Sequence, residues 1–135
     1  MGKLSCVLLV DDDKVNNFIN TRILKKTGLC DNIKTSLNGE EALLYLTKYC
    51  SAYDQNYPEL IILDNNMPEM NGIEFLELFN KLNQNRNFKL NIIVLTASNN
   101  PKDEQKLKEL GIQAYLTKPL TEEKLMNVIE FYHLI

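Results

Sequence analysis

The chain has 135 residues, of which 44% are hydrophobic and 24% charged, with a net charge of −3 at neutral pH. This is enough for one domain with a sizeable core, and the mild acidity leaves no basic patch for nucleic acid. No apolar run approaches the roughly 18 residues that a membrane helix needs, so membrane insertion is not expected.

The first residues lead straight into a strand-like run and show no signal-peptide pattern. Met1-Gly2 starts like a myristoylation site, but Cys6 stands where that motif needs Ser or Thr. Cys6, Cys30 and Cys50 are odd in number and form no CxxC pair. They read as reduced thiols rather than metal ligands, which points to the cytoplasm.

Strand and helix signals alternate five times. Cys6–Val10 is a continuous apolar run, as expected for a central parallel strand covered on both faces. A helix follows from about Val15 to Thr27, with Val15, Phe18, Ile19 and Ile23 on one face and Gly28 suited to its C-cap. Asn32–Ser36 is a weaker strand. A helix then starts at Asn38, with Glu41 as capping-box partner and a stripe of Ala42, Leu43, Leu46 and Tyr49. Leu60–Leu63 is the second continuous apolar run. The third helix follows Gly72 and carries Ile73, Leu76, Phe79 and Leu82. Ile92–Thr96 is the third buried strand, followed by a helix from Pro101 that ends before Gly111. Ala114–Leu116 is a short strand, and a last helix from Thr121 carries Leu125, Val128, Ile129 and Tyr132. The segments Ser51–Pro58 and Gln84–Asn91 read as polar loops. The alternation predicts an α/β fold with a parallel sheet, right-handed crossovers and helices on both faces.

In such sheets ligands bind beyond the C-terminal strand ends, and the unusual polar residues all fall there. Asp11, Asp12 and Asp13 follow the first strand. Asp13 reads as the helix N-cap. Asp64 closes the third strand, where an apolar environment makes a carboxylate costly without a cation. The turn after it holds Asn66, Pro68 and Gly72, with Pro68 and Gly72 setting its backbone geometry. Thr96 closes the fourth strand, and Lys118 with Pro119 follows the fifth. Clustered carboxylates with a hydroxyl and an ammonium suit Mg²⁺, which prefers oxygen ligands, and phosphoryl transfer to an ionised Asp64.

Five motifs now stand in order: Val10-Asp11-Asp12, Leu63-Asp64 through Met67-Pro68 to Gly72, Leu95-Thr96-Ala97, Ala114-Tyr115 and Thr117-Lys118-Pro119. From Leu4 to the last helix the chain resembles the receiver domain of two-component response regulators. The resemblance implies a doubly wound, flavodoxin-like sheet of strand order 2-1-3-4-5, and one receiver domain over residues 1–135 with no output domain attached. It implies Asp64 as phosphoacceptor. Asp11, Asp12, Asp64 and the Asn66 carbonyl would hold Mg²⁺. Thr96 and Lys118 would hold the phosphoryl oxygens, and Thr96 and Tyr115 would form the switch. It also implies a cis Lys118–Pro119 bond, with Asn66 and Ser98 at positions that tune phosphoryl lifetime.

The implied partners are a histidine kinase or a histidine phosphotransfer protein upstream and a protein target downstream, with Lys106, Gln113, Tyr115 and Glu122 on the output surface. Any catalysis would be limited to self-phosphorylation from the donor and slow self-dephosphorylation. Two other readings compete. One is a Mg²⁺-dependent phosphohydrolase of the haloacid-dehalogenase type, for which Asp11 and Asp13 give the Asp-x-Asp spacing. The other is a degenerate receiver that only binds partners.

Overall fold

A computed structural model describes residues 4–49, 56–86, 90–97, 101–112 and 114–134. The chain runs β1 (Val7–Val10), α1 (Lys14–Thr27), β2 (Ile33–Ser36), α2 (Gly39–Lys48), β3 (Leu60–Asp64), α3 (Gly72–Arg86), β4 (Asn91–Thr96), α4 (Pro101–Glu109), β5 (Ala114–Thr117) and α5 (Glu122–Phe131). All strands are parallel, in the order β2-β1-β3-β4-β5. The expected elements and topology are present, with ends shifted by a residue or so.

Period-two alternation divides each central strand between two cores. Leu8, Val10, Ile61, Leu63 and Val94 face one layer, with Ala42, Leu46, Phe75, Leu76, Phe79 and Leu107. Val7, Leu9, Leu60, Ile62, Ile93 and Leu95 face the other, with Leu24, Leu125 and Ile129. β1 and β3 are buried along their whole length, whereas β2 and β5 are only partly buried, as their weaker apolar runs predicted. Cys6 and Cys30 are buried, and burial pushes the Cys30 thiol up. Cys50 lies outside the described residues.

Local signals set the helix ends. The Asp13 carboxylate accepts from the Val15 and Asn16 amides, and Gly28 closes α1 at φ 75°. Asn38 caps α2 through the Glu41 amide, and Thr121 caps α5 through the Lys124 amide. α3 has a reciprocal box: the Glu74 amide donates to Asn71 Oδ1 at 2.8 Å, and the Asn71 amide donates to Glu74 Oε1 at 3.0 Å.

The expected inner face of α1 is corrected. Val15 is 63% exposed, Phe18 62% and Ile19 48%. The buried residues of α1 are Asn17 and Leu24, with Thr21 partly buried between them. At about 100° per residue, these three fall opposite Val15, Phe18, Ile19 and Arg22. The inward stripe combines the apolar Leu24 with the polar Asn17, and the more apolar stripe faces solvent. Ile23 is partly buried against the second core. Tyr132, read as part of the last helix, is its C-cap residue and is exposed.

Candidate metal centre

Register builds the site. β1 pairs with β3 so that Val10 lies opposite Leu63. The residues that follow, Asp11 and Asp64, therefore emerge side by side from adjacent strands. Asp64 in turn pairs with Leu95, and Thr96 with Thr117. Lys118 comes next on β5, its amide donating to the Thr96 carbonyl at 2.8 Å. The chain reaches Leu120 through a cis Lys118–Pro119 bond.

These placements bring the carboxylates of Asp11, Asp12 and Asp64 within 4.8 Å of one another. Asp64 is 2% exposed. Its Oδ1 lies 2.6 Å from Lys118 Nζ and accepts from the Asn66 amide at 3.0 Å. Asp11 is buried and its Oδ1 accepts from the Asp13 amide at 2.9 Å, whereas Asp12 faces solvent. Burial pushes the Asp11 carboxyl from 3.8 up to about 6, and the charges of Asp64 and Asp12 push the same way. The Asp13 amide and Lys118 oppose the rise. Three hard oxygen donors, one of them ionised only at a cost, form a set that Mg²⁺ fits. The exposed Asp12 leaves a route in from solvent.

Thr96 is buried beside this cluster. Asn66 spans two loops: its amide holds Asp64, and its side-chain Oδ1 accepts from the Ala97 amide at 3.1 Å. That second bond was not foreseen, because nothing local in the sequence pairs residues so far apart. Gly72 plays a different part from the one expected. A Cβ there would lie 2.9 Å from both Asn65 Cα and Asn65 Oδ1, so close approach excludes a side chain. The left-handed residue of this turn is Glu69, at φ 66°.

Tyr115 stands apart from the carboxylates. It lies opposite Val94 and packs at the edge of the first core. Its phenol is held above its ordinary value by burial and by the Glu104 carboxylate of α4, to which it is hydrogen-bonded. Lys106 and Glu122 are exposed on the same side of the sheet order, at α4 and α5. Gln113 and Ser98 lie outside the described residues. The Asp-x-Asp reading is weakened by Asp13, whose carboxylate caps α1.

A family model for the response regulator receiver domain matches residues 7–130. The chain belongs to this family. Receiver domains are the phosphoryl-accepting modules of two-component signalling, so five strand-end motifs and the pocket they form have one family-level explanation. The chain is 32% identical over 122 residues to two-component response regulator 24 of Arabidopsis thaliana, covering 90% of this receiver and 79% of that protein. A two-component response regulator from Cytophaga hutchinsonii superposes with a TM-score of 0.83 at 32% identity, covering 98% and 97% of the two chains. The receiver domain of the Arabidopsis thaliana histidine kinase CKI1, solved with Mg²⁺ and BeF3−, superposes with a TM-score of 0.81 at 25% identity, covering 95% and 89%. Among the described residues no helix is long and apolar enough to cross a membrane.

Proposed function

We propose that this receiver takes a phosphoryl group from a phosphohistidine donor onto Asp64, and that the acyl phosphate shifts the packing of α4, β5 and α5. The observation that carries this is Asp64 itself. It is a nearly sealed carboxylate at a strand end, paired with Lys118 and clustered with Asp11 and Asp12. In the transfer, a carboxylate oxygen of Asp64 bonds to phosphorus as the donor's N–P bond breaks, and the imidazole leaves with the electron pair.

Asp11, Asp12, Asp64 and the Asn66 carbonyl would hold Mg²⁺, which supplies charge neutralisation for the incoming phosphoryl group. Lys118 offsets further negative charge beside the acceptor oxygen. Thr96 presents its hydroxyl from the neighbouring strand end to a phosphoryl oxygen. A Thr96 displaced toward the phosphoryl group alters the space available to Tyr115, two residues before Thr117, the β5 residue that pairs with Thr96. Loss of the Tyr115–Glu104 bond would then change the α4 surface on which a target docks. This is a population shift between two packings.

The donor class is a histidine kinase or histidine phosphotransfer protein. We propose that it docks on the exposed side of α1, the helix that follows the acidic loop, where Phe18, Ile19, Arg22, Ile23, Lys25 and Lys26 line an open crevice.

The test is transfer of labelled phosphate from a phosphorylated histidine donor in the presence of Mg²⁺. Labelling that is lost in Asp64→Asn, with the variant still folded, supports the assignment. Undiminished labelling of Asp64→Asn overturns it.

A further inference from the structure

Asn17 is 4% exposed, on the inward side of α1. Its Nδ2 donates to the Asp11 carbonyl at 2.9 Å. Its Oδ1 is buried with no hydrogen-bond partner among the described residues. An apolar side chain at this place would avoid that unsatisfied acceptor, so the donor half of the amide must account for the residue.

What it holds is specific. The Asp11 carbonyl belongs to the peptide plane that joins Asp11 to Asp12, and the orientation of that plane sets the direction in which Asp12 leaves the strand. On the other side of Asp11, the amide donates to the Ser36 carbonyl of β2 at 3.1 Å. The Asp11 carboxylate accepts from the Asp13 amide. Asp11 is thus pinned at three points, from β2, from its own loop and from α1, and only the α1 point is made by a side chain outside the loop.

We propose that Asn17 is a positioning residue for the metal centre. By fixing the Asp11–Asp12 peptide, it sets the direction in which Asp12 is presented to Asp11 and Asp64. The inference rests on the Mg²⁺ reading given above. Removing a partner that orients a metal ligand typically weakens metal affinity by about 10–100-fold, and that is the range expected when the Asn17 donor is lost.

The experiment measures Mg²⁺ affinity calorimetrically on the full chain, together with urea denaturation in chelator. Asn17→Leu keeps the volume and removes the donor. Asn17→His keeps an N–H donor. The expected result is affinity weakened at least tenfold in Asn17→Leu and largely recovered in Asn17→His. Affinity within twofold of wild type in Asn17→Leu, or an equal loss in both variants, overturns the proposal. Should Asn17→Leu fail to fold, the wild-type chain still decides. The Asn17 side-chain amide, followed by NMR, is expected to shift on Mg²⁺ addition, and an unmoved signal at saturating Mg²⁺ overturns the assignment. A wild-type chain that binds no Mg²⁺ would instead remove the metal reading itself.

Discussion

Asp11→Asn is expected to stabilise the metal-free chain above pH 6 while abolishing its response to Mg²⁺. The Asp11 carboxyl is raised from 3.8 to about 6, chiefly by burial. The folded state therefore binds this proton more tightly than the unfolded state does. The stability linked to it is fully present below pH 3.8 and is lost as pH rises through about 6. At about 1.4 kcal/mol per pH unit, the rise corresponds to about 3 kcal/mol against the ionised folded state at neutral pH. Asparagine keeps an Oδ1 acceptor for the Asp13 amide and carries no charge. Urea denaturation in chelator should show the variant and wild type about equal well below pH 4. The variant should be the more stable, by up to about 3 kcal/mol, above pH 7. Adding Mg²⁺ should reverse the order, because only the wild type gains the stabilisation of a bound ligand. A stability difference that does not change with pH, or a variant that is weaker at neutral pH in chelator, refutes the reasoning.

Three further outcomes are expected. Lys118→Met leaves the sealed Asp64 carboxylate without its 2.6 Å partner. Urea denaturation in chelator at neutral pH should show a loss of about 2–3 kcal/mol, below the full range for a buried pair because Lys118 is partly exposed. Gly72→Ala forces a Cβ against the Asn65 backbone at 2.9 Å; thermal unfolding should report a loss of about 1–3 kcal/mol, and an unchanged Tm would refute the close approach. Phe18→Asp changes an exposed residue of α1, so stability should move by no more than about 0.5 kcal/mol. Phosphotransfer from a protein histidine donor should slow at least tenfold, whereas labelling by acetyl phosphate should not change. Equal slowing with both donors would argue against docking on α1.

The order of elements, the parallel sheet and the carboxylates at its strand ends were legible in the sequence because each rests on local signals, whereas the strand order followed from the family resemblance. Continuous apolar runs of four or five residues, bounded by polar turn signals, suit strands covered on both faces. A carboxylate that ends such a run stands out against its neighbours. The caps at Asp13 and Asn38 follow from residue type and spacing. What was not legible is tertiary. Nothing near Asn17 says that its amide reaches back to Asp11, or that Val15 and Phe18 lie on the outward side of α1. The Asn66–Ala97 bond joins two loops that only the β3–β4 pairing brings together. The need for glycine at position 72 comes from the Asn65 backbone, not from the turn geometry that a Pro-to-Gly segment invites. The Asn71–Glu74 box was present in the sequence as a spacing, but it was overlooked beside the more conspicuous turn.

The pairing of Val10 with Leu63 has a consequence for how this chain tolerates change. Side chains alternate faces along a strand, so a single-residue deletion in β1 or β3 would draw the acid back into the place of Val10 or Leu63, on the opposite layer, and bring Asp12 or Asn65 into the place it left. Insertions in the loops leave this alternation untouched, but one between Asp11 and Asp12 or between Asp64 and Asn66 would part the residues of the cluster. Length variation should therefore be excluded within β1 and β3 and within these two short segments. The strand ladder thus acts as a ruler with one allowed setting.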